Sequence, residues 1–379
     1  MEDKLPANTA AWLTAQQAKL EVLAAPYTRP HEGEIVVKNR AVAINPIDWV
    51  IQVAGDMAFS WIRLPFILGS DLAGDVVEIG VGVTRFKIGD RVLAHAVGTD
   101  AARNSAAQGS FQAYTVVLEK AATPIPSDMS YERATVLPLG LSTAACGLFQ
   151  KDHLALDYPS ATAKPNGKTV LVWGGSTSVG SNAIQLAVAA GYEVIATASP
   201  RNFDYVRKLG ALRVFDYNDK NVVRKLVDAF AGKTLAGALA IGAGSAEACV
   251  DVVHACKGKK FVSMATYPIS FKGVGDRPIG PLQRLAIVRP FLWFSVTNWF
   301  KCRTRSIRTT FIFGSSLLNN EVGDVIYADF LPGALAEGRY LPAPDPSIIG
   351  TGLECIQAGL DLQRKGMSAS KVVVSIPNT

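Results

Sequence analysis

The chain has 379 residues, more than a single hydrophobic core usually supports, so two domains are expected. Hydrophobic residues make up 49% and charged residues 18% of the chain, with 33 Gly and 20 Pro, a composition that excludes an intrinsically disordered protein. The formal net charge is +6, but Lys and Arg are spread along the chain apart from clusters at 257–260 and 301–308. We interpret these clusters as solvated loops and predict no nucleic-acid partner.

Cysteine use and the first residues bear on the cellular compartment. The five cysteines form no C-x-x-C pair, and an odd number cannot all pair internally, so we expect reduced thiols in a cytoplasmic protein. No long apolar run follows Met1, which predicts that no signal peptide is present.

An apolar and aromatic segment at 285–300 precedes the basic run 301–308. Arg289 and Pro290 interrupt this segment, which is also shorter than the roughly 20 apolar residues that a membrane-spanning helix needs. We expect it to form a lid or wall of an apolar substrate pocket, with peripheral membrane contact as the less favoured alternative.

Short strand-like runs separated by glycine-containing turns fill the first third of the chain. Strands are predicted at 34–44, 71–79, 91–95 and 111–117. This pattern is typical of a small, mostly antiparallel β domain.

After Lys168 strands alternate with helices. Apolar strands are predicted at 169–173, 193–197, 213–216, 237–241, 260–264 and 310–313, with helices at 181–190 and 203–209 between the early ones. This alternation predicts a parallel α/β sheet with helices on both faces. A last strand, at 371–376, is a candidate to return to the first domain.

The strand at 169–173 runs directly into a glycine-rich turn, and a helix is predicted to follow. Strand, glycine-rich turn and helix form the context of a dinucleotide-binding fingerprint, in which the backbone approaches a pyrophosphate and the first helix amides point at its charge. Thr177 stands where the usual fingerprint has its middle glycine, which makes the approach less close there. The alternative is a turn without a ligand. The predicted cofactor-binding residues are Gly174, Gly175, Ser176, Thr177, Ser178, Val179 and Gly180.

The end of the next strand distinguishes the two nicotinamide cofactors. An NAD site usually has Asp or Glu there to bind the ribose hydroxyls, whereas this chain has TASPRN at 197–202. Ser199, Arg201 and Asn202 supply a hydroxyl, a guanidinium and an amide, which suit a 2′-phosphate, so we predict NADPH. A second interpretation, compatible with the first, is that Ser199 caps a helix that begins at Arg201 or Asn202.

Motifs in both halves of the chain indicate one superfamily. They are AINPID at 43–48, LGSDLAG at 68–74, FKIGDRV at 86–92, GGSTSVG at 174–180, LGA at 209–211 and FDY at 215–217. In these motifs the sequence resembles the medium-chain dehydrogenase/reductase superfamily. The resemblance implies a small chaperonin-like (GroES-like) β-barrel catalytic domain at 1–140 and 325–379, and a Rossmann NADP-binding domain with a doubly wound parallel sheet at 141–324.

The metal ligands of the zinc enzymes in this superfamily are replaced. Those enzymes have Cys at the position of Asn45 and Gly-His-Glu where this chain has GSD at 69–71. They also carry four cysteines for a structural zinc in the loop that matches 96–110, which has none here. Because zinc needs such Cys and His ligands, the resemblance implies that this chain binds neither metal.

Within the zinc-free branch, the sequence most resembles the stand-alone, trans-acting enoyl reductases of fungal polyketide pathways, and then the quinone oxidoreductases. The similarity lies at 43–48, 139–144, 174–177, 199–203 and 216–217. It implies that the cofactor is held by residues 176–179, Ser199, Arg201, Asn202 and Tyr217. We also expect Asn45 and Asp48 to lie near the nicotinamide ribose, with a simple turn at Asn45-Pro46 as the alternative.

Thr143 resembles the family residue that hydrogen-bonds near the nicotinamide, and it is the candidate catalytic residue. Its alternative is to cap a helix N-terminus together with Ser142. His95 is a candidate proton donor, but a lone histidine at a strand end is more often structural. Where mitochondrial enoyl reductases have a Tyr, this chain has Asp56 and Met57, so the sequence identifies no proton donor.

The predicted function is NADPH-dependent, metal-free addition of hydride to an activated C=C bond. An enoyl reductase of secondary metabolism fits best, with a small or carrier-bound unsaturated substrate and a polyketide synthase as a candidate partner. Such an enzyme must position the nicotinamide, exclude water and stabilise an enolate. The alternatives are quinone or alkenal reduction, cofactor binding without redox turnover, and non-redox chemistry. The aromatic and basic insert 273–308 prevents transfer of a substrate identity.

Overall fold

The computed structural model describes residues 5–271, 273–274 and 279–378. The chain divides into two compact units. The first comprises Met1–Leu139, Phe271–Gly280 and Leu331–Thr379, and the second comprises Gly140–Ser270 and Pro281–Phe330. The domains predicted at 1–140, 141–324 and 325–379 differ from this division mainly at 271–280, which they assign to the nucleotide-binding domain.

The first unit opens with strands and short helices. Up to residue 149 the elements are β1 (Asn8–Leu13), β2 (Glu21–Ala25), β3 (Glu34–Ala43), α1 (Pro46–Ala58), β4 (Phe66–Ile67), β5 (Asp71–Ile79), β6 (Arg91–His95), β7 (Tyr114–Leu118), β8 (Ala122–Pro124), α2 (Tyr131–Ala134) and α3 (Pro138–Phe149). Most of α3 belongs to the second unit. The strands predicted at 71–79 and 91–95 have the bounds of β5 and β6.

The second unit is built on six parallel strands. Its elements are β9 (Lys168–Trp173), α4 (Ser178–Ala189), β10 (Glu193–Ala198), α5 (Phe203–Lys208), β11 (Arg213–Asp216), α6 (Val222–Ala229), β12 (Thr234–Ala240), α7 (Ser245–Ala255), β13 (Phe261–Met264), α8 (Pro281–Arg305), β14 (Arg308–Phe311) and α9 (Val322–Asp324). The strand order is β11-β10-β9-β12-β13-β14, with every pair parallel. This doubly wound order reverses between β9 and β12, and ligands of such sheets bind at that crevice.

The core of the second unit lies between this sheet and the helices. Apolar side chains of the strands, including Leu171, Ile195 and Val262, form one buried cluster with those of α6 and α7, including Leu226 and Val250. The sequence of a strand that is buried on both faces is expected to be a continuous apolar run, as it is in β9.

The chain then returns to the first unit. A π-helix (Val325–Phe330) leads to α10 (Leu331–Ala336), β15 (Asp345–Thr351), α11 (Ile356–Lys365) and β16 (Ser370–Ser375). The larger sheet has the order β15-β16-β3-β5-β6-β8, with β7 also paired to β3, and a three-stranded sheet has the order β2-β1-β4. β16 is antiparallel to β3 with Val373 opposite Ala43, so the predicted return of the last strand is confirmed.

The apolar segment 285–300 lies within α8, a 25-residue helix with Pro290 in its interior. Within the described residues, no helix has the combination of length and apolar character that crossing a membrane requires.

Candidate functional site

The glycine-rich turn joins β9 to α4. This helix begins at Ser178 rather than near residue 181, because the Thr177 side chain caps it. The Thr177 Oγ1 atom accepts a hydrogen bond from the Gly180 amide at 3.0 Å and donates one to the Gly174 carbonyl oxygen at 2.8 Å. Ser178, Val179 and Gly180 therefore form the first helical turn, where the helix dipole and the amides other than that of Gly180 favour an anionic group.

Close contacts require glycine at two positions of this turn. Gly174 has a φ of +86°, and a Cβ atom on it would lie 2.7 Å from the carbonyl oxygen of Ile241, just after β12. A Cβ atom on Gly180 would lie 2.1 Å from the Gly174 carbonyl oxygen. The turn thus packs backbone to backbone at the crevice between β9 and β12, which leaves its amides open to a close ligand.

A pair of hydroxyl groups joins the ends of β10 and β11. The Ser199 Oγ atom lies 2.9 Å from the Tyr217 hydroxyl oxygen. Ser199 precedes a short 3-10 turn, Pro200–Asn202, but its side chain makes no capping hydrogen bond to that turn. The predicted capping role of the Ser199 side chain is therefore not observed. Tyr217 and Arg201 are exposed, whereas Asn202 is buried.

Thr143 lies in the second turn of α3, which begins at Pro138. The alternative role of Ser142 and Thr143 as N-terminal caps is therefore wrong, because the helix begins before them. Ser142 is buried, and its Oγ atom lies 2.7 Å from the Tyr327 hydroxyl oxygen. Thr143 is half-buried, and its predicted catalytic role stays a prediction.

Four polar side chains form a buried network in the first unit: Asn45, Asp48, Asp71 and Lys371. The Lys371 ammonium lies 2.8 Å from Asp71 Oδ2 and donates to Asn45 Oδ1 at 2.5 Å. Asn45 Nδ2 donates to the same Asp71 oxygen at 2.8 Å, and the Leu139 amide donates to Asp71 Oδ1 at 2.6 Å. At the start of α1, the backbone amide of Asn45 donates to Asp48 Oδ2 at 2.7 Å. The network thus satisfies the Asp71 carboxylate and the Lys371 ammonium with each other and with neutral partners.

Burial changes two pKa values beside this network. It raises the pKa of Asp48 to about 7, although the hydrogen bond that the Asn45 backbone amide donates to Asp48 opposes the shift. Burial also lowers the pKa of His95 to about 4, although the nearby Asp71 carboxylate opposes that shift. The His95 Nδ1 atom is buried without a hydrogen-bond partner among the described residues. His95 is therefore neutral at neutral pH, which favours its structural interpretation over a role as proton donor.

The sequence predicted Asn45 and Asp48 as cofactor-binding residues but missed Lys371 and the ion pair it forms with Asp71. The available signal was a single Lys at the start of the apolar run VVV in β16. A charged residue in an inward position of a buried strand requires a buried partner. The partner becomes evident only when the pairing of β16 with β3 and of β3 with β5 is known.

Comparisons with known proteins agree with this architecture. Residues 31–127 match the family model Alcohol dehydrogenase GroES-like domain, and residues 178–273 match the model Zinc-binding dehydrogenase. The dehydrogenase pigH of Monascus ruber is 51% identical over 98% of this chain and 100% of its own length. The trans-enoyl reductase himH of Aspergillus japonicus is 36% identical over 97% of each chain.

A solved structure supports the same fold. The alcohol dehydrogenase superfamily protein of Novosphingobium aromaticivorans aligns with a TM-score of 0.73 and 25% identity, over 98% of this chain and 100% of its own. The predicted GroES-like and Rossmann domains are thereby confirmed. With both domains present in family order and full-length relatives at this identity, the chain belongs to the medium-chain dehydrogenase/reductase superfamily of oxidoreductases.

Proposed function

We propose that this oxidoreductase is an NADPH-dependent, metal-free enoyl reductase of fungal secondary metabolism, acting on a small or carrier-bound α,β-unsaturated substrate. Its similarity over nearly the full chain to a trans-enoyl reductase supports this reaction class. The relative with 51% identity is named only as a dehydrogenase, so the substrate class rests on the more distant relative and on the site.

The observation that carries the metal-free part of the proposal is the Lys371 ammonium bound to Asn45 and Asp71. In the zinc enzymes that the chain resembles, Asn45 corresponds to a Cys, and Asp71 corresponds to the Glu of the Gly-His-Glu motif, whose His is Ser70 here. An ammonium group 2.8 Å from the Asp71 carboxylate already supplies the positive charge there, and a divalent cation beside it would be repelled. The amide of Asn45 is also a poor substitute for a thiolate ligand. The residues present therefore do not fit a zinc ion.

The residues present do fit NADPH. The amides of the first turn of α4 would bind the pyrophosphate, and Gly174 and Gly180 permit its close approach. The Ser199 and Tyr217 hydroxyls, with the guanidinium of Arg201, would bind the 2′-phosphate through charge-assisted hydrogen bonds. The acid that would favour NAD is missing at the end of β10.

When bound, NADPH supplies the hydride that adds to the β carbon of the conjugated substrate. The chain's own residues must then orient the nicotinamide, for which we propose Thr143, and stabilise the negative charge that develops on the conjugated oxygen. His95 is not assigned the proton transfer, because its lowered pKa keeps the imidazole neutral at neutral pH, and a neutral imidazole is a weak acid.

The test is a titration of metal-depleted protein with NADPH and with NADH, followed by nicotinamide fluorescence. Enoyl thioesters and quinones are then added while the absorbance of NADPH is followed. Tighter NADPH binding with thioester turnover that is insensitive to chelators is expected. Turnover of quinones alone would favour a quinone reductase, tight NADPH binding without turnover would favour a binding role, and recovery of activity only with zinc would refute the metal-free proposal.

A further inference from the structure

Helix α8 presents an apolar face on the side opposite to the one that packs on the second unit. Phe294, Asn298 and Cys302, spaced four residues apart, are its buried residues. Trp293, Trp299 and Phe300 are 73%, 66% and 63% exposed. The same helix also exposes Leu282, Leu285, Leu292 and Val296. The helix is thus apolar on both faces, whereas a surface helix normally pairs its apolar face with a polar one.

Among the described residues, the large apolar side chains that are exposed concentrate on this face of α8. Scattered apolar residues are normal on a surface, but a contiguous patch indicates that something covers it. The length of α8, 25 residues at about 1.5 Å per residue, makes the patch an extended strip.

The charges on α8 have a single sign. The helix contains Arg284, Arg289, Lys301, Arg303 and Arg305 and no Asp or Glu. Lys301 and Arg305 pair with Asp251 of α7. Arg289 and Arg303 are exposed and form no ion pair with any residue in the described ranges. The exposed face therefore offers cationic groups to an anionic occupant.

A second copy of the chain fits this face poorly. A twofold contact would place the same strip against itself, so that Arg289 and Arg303 of each copy would meet a helix that has no Asp or Glu. Helices that bind at the interface of an anionic lipid bilayer lie in the plane of the membrane. They typically combine aromatic and aliphatic residues with Arg and Lys, as the exposed face of α8 does.

We propose that α8 binds this protein peripherally to membranes with anionic lipids, with Trp293, Trp299 and Phe300 entering the interface and Arg289 and Arg303 contacting the headgroups. This site is independent of the proposed reductase activity. It takes up the peripheral membrane contact that the sequence analysis kept as the alternative to a wall of a substrate pocket.

The experiment is sedimentation of the whole protein with phosphatidylcholine vesicles that contain or lack phosphatidylserine. Binding is expected only to the anionic vesicles, and it should weaken as salt is raised. Replacing Trp293, Trp299 and Phe300 together with Ser should reduce the partition coefficient at least about tenfold, since that much apolar surface stays in water. Arg289→Gln and Arg303→Gln should each lower the partition coefficient onto anionic vesicles about fivefold.

A matched control is the triple variant Val81→Ser, Ile88→Ser and Leu212→Ser, because these side chains are also exposed but lie outside α8. It should bind vesicles as the unmodified chain does. Circular dichroism and NADPH binding of every variant verify that the fold is intact. Absence of vesicle binding by the unmodified chain would overturn the proposal. If light scattering instead shows that the unmodified chain is a dimer and that the α8 variant is a monomer, the face is a contact between two copies of the chain.

Discussion

The Lys371 ammonium and the Asp71 carboxylate lie 2.8 Å apart, and their side chains are 4% and 0% exposed. Breaking a buried ion pair by removing one partner leaves an uncompensated charge, which costs more than the pair itself contributes. Lys371→Met is therefore expected to lower the free energy of unfolding by about 3–5 kcal/mol. Urea denaturation measures this loss.

The exposed pair of Arg339 and Glu337 provides the matched control, because Arg339→Met should leave stability unchanged. Adding Asp71→Asn to Lys371→Met should recover part of the loss, since the residue left in the network is then neutral. A loss for Lys371→Met as small as that of the control would contradict the buried-pair interpretation.

The raised pKa of Asp48 predicts a pH-dependent stability. In the folded chain its pKa is raised from 3.8 to about 7, so between about pH 4 and 7 the folded state holds a proton that the unfolded state has released. The stabilisation from Asp48 is complete at low pH and is lost as the pH rises through about 7. The stability difference between the unmodified chain and Asp48→Asn should thus decrease over this range. A difference that stays flat would show that Asp48 ionises normally.

His95 predicts the opposite slope. Its pKa is lowered from 6.5 to about 4, so between these values the unfolded state binds a proton that the folded state does not. The stabilisation from neutral His95 is complete above about pH 6.5 and is lost as the pH falls through about 4. The stability difference between the unmodified chain and His95→Leu should therefore increase with pH in this window. Chemical denaturation at several pH values measures it, with His31→Leu as the control at an exposed histidine.

The cofactor assignment predicts selective losses at the ends of β10 and β11. Arg201→Gln should weaken NADPH binding about tenfold or more, because a hydrogen bond to a charged group contributes about 1.5–3 kcal/mol. NADH binding should be unaffected. Tyr217→Phe should act in the same direction, since it removes the hydroxyl that pairs with Ser199. Arg207→Gln, which removes a nearby exposed guanidinium paired with Asp204, should change neither affinity. Equal losses for both cofactors would argue against a 2′-phosphate site.

Gly180 should not tolerate a side chain. The added methyl group of Gly180→Ala would lie 2.1 Å from the Gly174 carbonyl oxygen, so the turn must shift, at a cost of about 1–3 kcal/mol and with a large loss of nucleotide affinity. Gly333→Ala in α10 is the control, because its nearest neighbour is a Glu337 oxygen at 3.9 Å. Thermal unfolding and NADPH titration check both variants, and an undisturbed affinity in Gly180→Ala would contradict the required close contact.

The elements predicted well are those with a local signal. β5, β6 and β11 have their predicted bounds because alternating or continuous apolar runs end at turn residues. The start of α4 was placed too late, since the capping role of Thr177 was masked by its position in the glycine fingerprint. Lys371 and Asp71 could not be paired from sequence, because only the order of β16, β3 and β5 in the sheet brings them together. The exposure of Trp293 depends on which face of α8 packs on the second unit. Because α8 is apolar on both faces, its sequence does not indicate which face is buried.

The position of β16 between β15 and β3 also sets an order of assembly. A ribosome releases every strand of the parallel sheet before it makes residues 370–375, so the nucleotide-binding unit can fold while the sheet of the first unit still lacks two adjacent strands. Asp71 is then left without its cation, and the edge of β3 stays open to other chains. The N-terminal part of the chain, which is synthesised first, should therefore be the last to reach its native structure. In a nascent chain stalled before residue 370, this N-terminal part should be accessible to proteases and chaperones.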